Sequence, residues 1–147
     1  MRTFIVYHSE HHLNTEKVGK EIAQALDADF VKAQSAASEN ISNYDLFGFG
    51  SGIYHCQFHR ELYDFVQKLH VPQGTKAFIF STTGSKAYAD RAHQSFQSVL
   101  VEKGFTVVGE YTCLGFDTAL SSEGINRGRP NAEDLTEARS FAANLRS

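Results

Sequence analysis

The sequence predicts an α/β fold, a single domain of three α/β/α layers built on a doubly wound, parallel, five-stranded sheet. Two observations predict it. Apolar strand-like runs alternate along the chain with segments in which apolar residues recur at helical spacing. Several of these runs are continuously apolar, which is typical of parallel strands covered on both faces. Five strands and four main helices in 147 residues fit the strand order 2-1-3-4-5.

The first half of the chain supplies three of the predicted strands and two of the helices. The opening apolar run is followed by a polar loop and then by a helix with apolar residues at four-residue steps (Val18, Ile22 and Leu26). Pro72 and Gly74 end the second helix. The predicted elements are a strand Phe4–Tyr7, an edge strand Asp29–Lys32, a loop Ala33–Asn43, a strand Tyr44–Gly50 and a helix Phe58–Leu69.

The second half continues the alternation. Gly104 is a natural stop for the third helix, and Asn131 is a natural N-cap for the last one, with acidic residues in its first turn. The predicted elements are a strand Thr75–Ser81, a helix Ala89–Lys103, a strand Phe105–Tyr111, a long loop Thr112–Pro130 and a final helix whose Leu135, Ala138, Phe141, Ala142 and Leu145 face inward.

Composition and charge exclude several classes of protein. A hydrophobic content of 41% in 147 residues fits one domain, residues 1–147, with an ordinary core. A net charge of -3 without a Lys/Arg stripe argues against a nucleic-acid partner. No apolar run reaches the ~18 residues of a membrane span, and no signal peptide is visible. We therefore expect a cytoplasmic protein with Cys56 and Cys113 as free thiols.

Three loops carry the candidate chemistry, and each follows a different strand. They are His8–Asn14, Ser51–Gln57 and Ser81–Tyr88, all rich in glycine, hydroxyl, aromatic or imidazole groups. Ligands of doubly wound sheets bind outside the carboxyl ends of the strands, where the strand order reverses, so we expect these loops to meet. The first loop leads straight into a helix N-terminus, which is a phosphate-binding geometry. The alternative is that Asn14 or Thr15 simply caps that helix.

These stretches resemble the flavodoxin family, whose members bind FMN non-covalently and carry electrons. The match begins with IVYHS at Ile5–Ser9 and continues at Asn14–Glu16. The sequences GSGIY at Gly50–Tyr54 and FSTTG at Phe80–Gly84 are similar to the two loops that clasp the flavin ring. GINRGRPN at positions 124–131 is similar to an ending found in one branch of flavodoxin-like proteins. The resemblance covers essentially the whole chain.

The resemblance implies FMN as the cofactor, with Ser9, Asn14 and Thr15 as ligands of its phosphate. The first loop differs from the family pattern, because it is one residue longer and lacks the usual glycine around positions 11–13. A bulky Leu13 is expected to limit the approach of the backbone to a phosphate. His11 and His12 could compensate by donating imidazole N–H groups.

For the flavin ring, Tyr54 is the expected stacking partner, with Phe58 and Tyr88 behind it. Thr82 and Thr83 could face the polar ring edge, and a peptide flip near the flavin is expected at Gly52 or Gly84. The predicted cofactor-binding set is Ser9, His11, His12, Asn14, Thr15, Gly52, Ile53, Tyr54, Thr82, Thr83, Gly84 and Tyr88.

Other clusters allow different interpretations. A zinc or copper site could form from His8, His11, His12, His55, Cys56 and His59, although no recognised ligand spacing links them, and we expect no metal. The stretch Phe116–Thr118 follows the fifth strand, near the same edge of the sheet. It is expected to be a structural loop, and the alternative is that it lines the site or shapes a surface for a partner.

The expected function is electron transfer between redox enzymes, with a reductase and an acceptor protein as partners. Flavodoxin carriers are usually strongly acidic, and a net charge of -3 is mild by comparison. One alternative is an FMN-dependent oxidoreductase acting on a quinone or a porphyrinogen-type substrate. Another is a domain that kept the fold without a cofactor. A response-regulator receiver is excluded, because His8-Ser9-Glu10 does not supply its acidic cluster.

Overall fold

The computed structural model describes residues 1–36, 41–119 and 121–146. Strands and helices alternate along them as the sequence predicts. Two short 3-10 turns, Ala33–Ser35 and Ile41–Asn43, fall within the predicted loop, whose positions 37–40 lie outside the described residues. The longer elements are β1 (Thr3–His8), α1 (Asn14–Leu26), β2 (Asp29–Lys32), β3 (Leu46–Gly52), α2 (Arg60–Gln67), β4 (Thr75–Thr83), α3 (Lys86–Lys103), β5 (Phe105–Leu114) and α4 (Ala132–Leu145).

All neighbouring strands pair in parallel, in the order β2-β1-β3-β4-β5, which confirms the predicted topology. The order reverses at β1, which has β2 on one side and β3 on the other. The register aligns His8 with Ser51 and Gly52 with Thr82. The loops after β1, β3 and β4 therefore leave the sheet side by side.

The core has two halves, one on each face of the sheet. Successive side chains of a strand point to opposite faces, so Phe4 and Val6 pack against α2 and α3, whereas Ile5 and Tyr7 pack against α1 and α4. Both halves are deeply buried, and Ile5 and Val6 have no exposed surface. This explains why the first strand has a continuous rather than an alternating apolar sequence.

Two glycines in β3 make room for two phenylalanines in β4. Gly48 pairs with Phe78 and Gly50 with Phe80 across the strands. A Cβ atom at Gly48 would lie 2.3 Å from the Phe78 ring, and one at Gly50 would lie 2.1 Å from the Phe80 ring. The aromatic rings thus lie directly over glycine backbone, and no larger side chain fits beneath them.

Several elements start or end at other residues than predicted. β4 runs to Thr83 and β5 to Leu114, and Thr83 pairs with Leu114. These strands are longer because their pairing continues through Thr82 with Cys113 and Thr83 with Leu114, so the predicted ends at Ser81 and Tyr111 are too early. α2 is shorter than predicted, and α3 starts three residues earlier, at Lys86 rather than at Ala89.

The prediction for the last helix is confirmed at its N-terminus. The Asn131 side chain accepts a hydrogen bond from the Asp134 backbone N–H, and the Asp134 carboxylate accepts one from the Asn131 N–H, which is a complete capping box. Among the described residues, no helix has the length and apolarity required to cross a membrane.

Candidate functional site

A cleft of about 340 Å³ opens at the carboxyl end of the sheet, where the loops after β1, β3, β4 and β5 meet. Its volume is in the range of small-ligand sites. All predicted cofactor residues except Tyr88 line it, and Tyr88 is half exposed on α3. The lining consists of Ser9, Glu10, His11, His12, Asn14, Thr15, Gly52, Ile53, Tyr54, Thr82, Thr83, Gly84, Gly115, Phe116, Asp117, Thr118 and Ala119.

At one end of the cleft, α1 presents the N–H groups of its first turn. Leu13 is the N-cap residue and makes no side-chain cap, while the Ser9 hydroxyl oxygen accepts a hydrogen bond from the Glu16 N–H at 3.2 Å. Capping by Asn14 or Thr15, the alternative from sequence, is therefore wrong. The N–H groups of Asn14 and Thr15 have no partner among the described residues, so they can bind an anion.

Leu13 does not obstruct this end of the cleft. Its backbone lies in the left-handed region at φ 56°, and its side chain is 43% exposed. Leu13 is not among the residues that line the cleft, so the expected obstruction is wrong. His11 has φ 58° and a side chain that is 77% exposed at the cleft rim. Two left-handed residues thus make the turn that a glycine was expected to make.

Asn14 and Thr15 connect the first loop to other walls of the cleft. The Asn14 amide donates a hydrogen bond to the Phe116 carbonyl oxygen at 2.9 Å. The hydroxyl oxygens of Thr15 and Thr82 lie 2.7 Å apart in a buried contact. One hydroxyl of this pair donates to the other, so one O–H proton of the pair remains available to a ligand.

Tyr54, in the loop after β3, also lines the cleft and is held by two imidazole rings. The ring of His8 lies 5.8 Å from the Tyr54 ring and that of His59 lies 5.3 Å from it, both edge to face. Tyr54 also closes a tight turn with Gln57 through two backbone hydrogen bonds of 2.8 and 3.0 Å. Burial and the neighbouring Glu10 carboxylate raise the pKa of the Tyr54 hydroxyl far above its usual value. Tyr54 is therefore a neutral, oriented aromatic side chain at physiological pH.

The loop after β5 forms a wall of the cleft, so the alternative predicted for Phe116–Thr118, that they line the site, is the one that the structure shows. Asp117 lies so close to Gly84 that a Cβ at position 84 would be 2.5 Å from its carboxylate oxygen. The Asn126 amide donates hydrogen bonds to the carbonyl oxygens of Gly84 and Gly115, at 3.0 and 3.3 Å. Gly84 thus permits a close approach between two walls, and Phe116–Thr118 contribute directly to the cleft.

The charges of the cleft come from carboxylates and imidazoles. Glu10 and Asp117 line it, together with His11 and His12, and its lining includes no lysine or arginine among the described residues. His12 is fixed by a 3.2 Å contact with the Thr118 hydroxyl and by packing on the Phe116 ring. An anionic group in this cleft would therefore be held by hydrogen-bond donors rather than by a lysine or an arginine of the described lining.

Two histidines of the predicted cluster, His8 and His59, form a stacked pair. Ligand atoms of His8, Glu10 and His59 all lie within 4.8 Å of one another. The two imidazole rings are stacked, however, at 3.5 Å and an angle of 9°, so they cannot both point a lone pair in the ring plane at one ion. His59 also uses its Nδ1 to accept the Glu61 N–H and so caps α2. His55 and Cys56 form the nearby turn at φ 51° and 62°.

A second network lies beneath the cleft and was missed from sequence. The Ser81 hydroxyl is 2.7 Å from Nε2 of His93, and Nδ1 of His93 is 3.0 Å from a Glu110 carboxylate oxygen. These distances match a Ser-His-acid triad. Ser81 has no exposed surface, so no substrate can reach it. The network instead ties α3 to β4 and β5, and the spacing of the three residues in the chain gave no signal for it.

Comparisons with known proteins agree with this architecture. A family model described as a flavodoxin domain matches residues 4–113. A Methanocaldococcus jannaschii protein, named only as uncharacterized protein MJ0298, is 38% identical over 148 residues, which cover 99% of this chain and 98% of the relative.

Solved flavodoxins share the fold across nearly their whole length. A flavodoxin from the domain Archaea superposes with a TM-score of 0.75 at 15% identity, covering 99% of this chain and 96% of that one. Oxidised Flavodoxin 2 from Bacillus cereus superposes with a TM-score of 0.71 at 24% identity, covering 97% of this chain and 95% of that one. Two-electron reduced Megasphaera elsdenii flavodoxin gives 0.71 at 20% identity, with coverages of 97% and 98%. The fold and the match to the family model together show that this chain belongs to the flavodoxin family.

Proposed function

We propose that the protein binds FMN in the cleft and carries electrons between redox enzymes. The observation that carries the proposal is the set of groups that line the cleft. Asn14 and Thr15 line it with unpartnered backbone N–H groups, and Tyr54 lines it with an oriented aromatic ring. A phosphate matches the first set of groups, and a flat aromatic ring system matches the second.

The residues present fit FMN. Ser9 can donate its hydroxyl proton to the phosphate while its oxygen accepts the Glu16 N–H. Asn14 contributes its backbone N–H, because its side-chain amide is engaged with Phe116. Thr82 and Thr83, each 5% exposed, line the cleft with backbone and hydroxyl groups suited to the polar edge of the ring. When bound, FMN supplies the electron-accepting and electron-donating chemistry.

The protein residues orient the cofactor and shape its surroundings. Tyr54 presents its ring to one side of the cleft, held there by His8 and His59. Glu10 and Asp117 place negative charge along the cleft, which disfavours extra electron density on a bound group and so should lower its reduction potential. Cys56 and Cys113 are free thiols, which accords with our proposal of a cytoplasmic location.

Titration with flavins tests the proposal. The apo protein should bind FMN with saturable quenching of flavin fluorescence and a shifted visible spectrum, and it should bind riboflavin far more weakly, because riboflavin lacks the phosphate. Protein that is colourless as purified and gives no spectral change with added FMN would refute FMN binding. The carrier role requires that the loaded protein accept electrons from a flavodoxin reductase and pass them to cytochrome c.

An enzymatic role is the second candidate. The wall formed by Phe116–Ala119 gives the cleft a shaped opening that could hold a quinone or a porphyrinogen-type substrate beside the flavin. Steady-state turnover of NAD(P)H with a quinone, in the absence of any added reductase, would favour an oxidoreductase over a carrier. A domain that kept the fold without a cofactor would show neither flavin binding nor turnover.

A further inference from the structure

A second pocket of about 360 Å³ lies beside the phosphate end of the cleft, and we call it the cationic pocket. Its charged lining consists of Lys17, Arg127 and Arg129, and no carboxylate lines it among the described residues. The chain as a whole has a net charge of -3. The pocket therefore concentrates positive charge locally on a mildly acidic protein.

The two arginines are held in place before any ligand arrives. Arg127 donates a hydrogen bond to the Glu123 carbonyl oxygen at 2.8 Å, and its guanidinium lies 5.6 Å from the centre of the Phe116 ring. Arg129 binds the Asp134 carboxylate through two nitrogens, at 2.6 and 2.8 Å. This pair partly neutralises Arg129, so most of the free charge of the pocket comes from the other two cations.

Lys17 supplies a charge that no neighbour neutralises. Lys20, which lies on the next turn of α1, is within 4.0 Å of Glu16. Within the described ranges, by contrast, no carboxylate comes within ion-pair distance of Lys17. An ammonium group and a guanidinium that line the same concave surface form a binding site typical of phosphate groups.

The cationic pocket adjoins the cleft, because His12, Asn14 and Phe116 line both. We propose that the cationic pocket binds a second phosphate group, next to the phosphate of a bound FMN. The position of that first phosphate rests on the proposed function. The second phosphate belongs either to a dinucleotide that extends out of the cleft or to a separate phosphorylated ligand.

Calorimetry with inorganic pyrophosphate tests the site. On the FMN-loaded protein, where the first site is filled, pyrophosphate should bind saturably, and binding should weaken as salt is raised. Arg127→Gln and Lys17→Gln should each weaken it about tenfold. Lys20→Gln removes the same charge one turn away and should leave pyrophosphate binding unchanged. No binding to the wild-type protein, or an equal loss in Lys20→Gln, would overturn the proposal.

Flavin titrations identify the source of the second phosphate. If it belongs to a dinucleotide, FAD binds the apo protein more tightly than FMN does, and Arg127→Gln removes this advantage without changing FMN affinity. If it belongs to a separate ligand, FAD and FMN bind the apo protein with similar affinities, while pyrophosphate binding still depends on Arg127.

Failure of the proposed function and failure of the cationic pocket give different results. Should the apo protein bind neither flavin, the proposed function fails, but pyrophosphate binding that Lys17→Gln and Arg127→Gln weaken still supports the cationic pocket. Should FMN bind and pyrophosphate not bind, only the cationic pocket is refuted. Circular dichroism of each variant checks that these exposed substitutions leave the fold intact.

Discussion

The hydroxyl oxygens of Thr15 and Thr82 lie 2.7 Å apart, although 67 positions separate them in the chain. Both residues are buried, with 2% and 5% exposure, and both line the cleft. The contact joins the first turn of α1 to the end of β4. It therefore fixes the distance between the loop that would hold a phosphate and the loop that would border a flavin ring.

Thr15→Val should weaken FMN binding by about 1–3 kcal/mol, because it removes a hydroxyl that donates to a charged phosphate while keeping the shape of the side chain. Fluorescence titration of the apo protein measures the dissociation constant. Thr106→Val, on an exposed position of β5, is the matched control and should bind FMN like the wild-type protein.

Substitution of Thr82, the partner of Thr15, distinguishes phosphate binding by Thr15 from a role of Thr15 in positioning the loop. If Thr15 acts through its contact with Thr82, then Thr82→Val should weaken FMN by a similar amount, and the double variant should lose little more than either single variant. Fully additive losses would show that the two hydroxyls act independently. An unchanged dissociation constant in Thr15→Val would remove Thr15 from the site.

The fold could be predicted from sequence because local patterns decide it. The continuous apolar run from Phe4 to Tyr7 has no exposed face to contradict a buried parallel strand. The alternation of strands and helices then restricts the topology, and the order reversal at β1 places the loops of the site together. Eleven predicted site residues line the cleft for this reason, because they lie at or directly after the carboxyl ends of neighbouring strands.

The contacts that build the wall after β5 could not be predicted, because they join residues far apart in the chain. Asn14 reaches the Phe116 carbonyl across 102 positions of sequence, and Asn126 reaches Gly84 across 42. Neither polar pair leaves a periodic pattern in the chain. Tyr88 is predicted in the site because its position just after β4 suggests proximity to the cleft. In the structure α3 begins at Lys86, and Tyr88 is half exposed and is not among the residues that line the cleft.

Gly50→Ala should lower the free energy of unfolding by about 1–3 kcal/mol, because the added methyl group would overlap the Phe80 ring. Urea denaturation measures the change. The double variant Gly50→Ala/Phe80→Leu replaces the ring with a smaller side chain. Its loss in free energy of unfolding should therefore be smaller than the sum of the losses in the two single variants. Additive losses would contradict the contact.

Leu13→Gly should raise the free energy of unfolding by about 0.5–1 kcal/mol, because glycine adopts the left-handed backbone of Leu13 without steric cost. Its side chain is partly exposed and does not line the cleft, so the FMN dissociation constant should not change. Leu13→Ala is the control, since it removes the same side chain but keeps the steric cost, and it should give no increase in stability.

Because of His93, the free energy of unfolding should fall as the pH drops below about 6.5. Burial lowers the pKa of its imidazole, and the nearby carboxylates of Glu110 and Asp90 only partly oppose this effect. Below the unfolded pKa of 6.5, the unfolded chain therefore binds a proton that the folded chain does not bind. Each pH unit between that value and the lowered folded pKa costs up to about 1.4 kcal/mol of stability.

Urea denaturation between pH 7.5 and about pH 5 measures this dependence, in the range where an ordinary histidine titrates. His93→Gln cannot titrate, so its stability should change less over this range than that of the wild-type protein. His70→Gln replaces an exposed imidazole and should keep the wild-type dependence. Because Ser81, Glu110 and Phe58 all contact His93, the substitution should also lower stability at pH 7.5. A wild-type pH dependence in His93→Gln would show that the buried network does not couple protonation to folding.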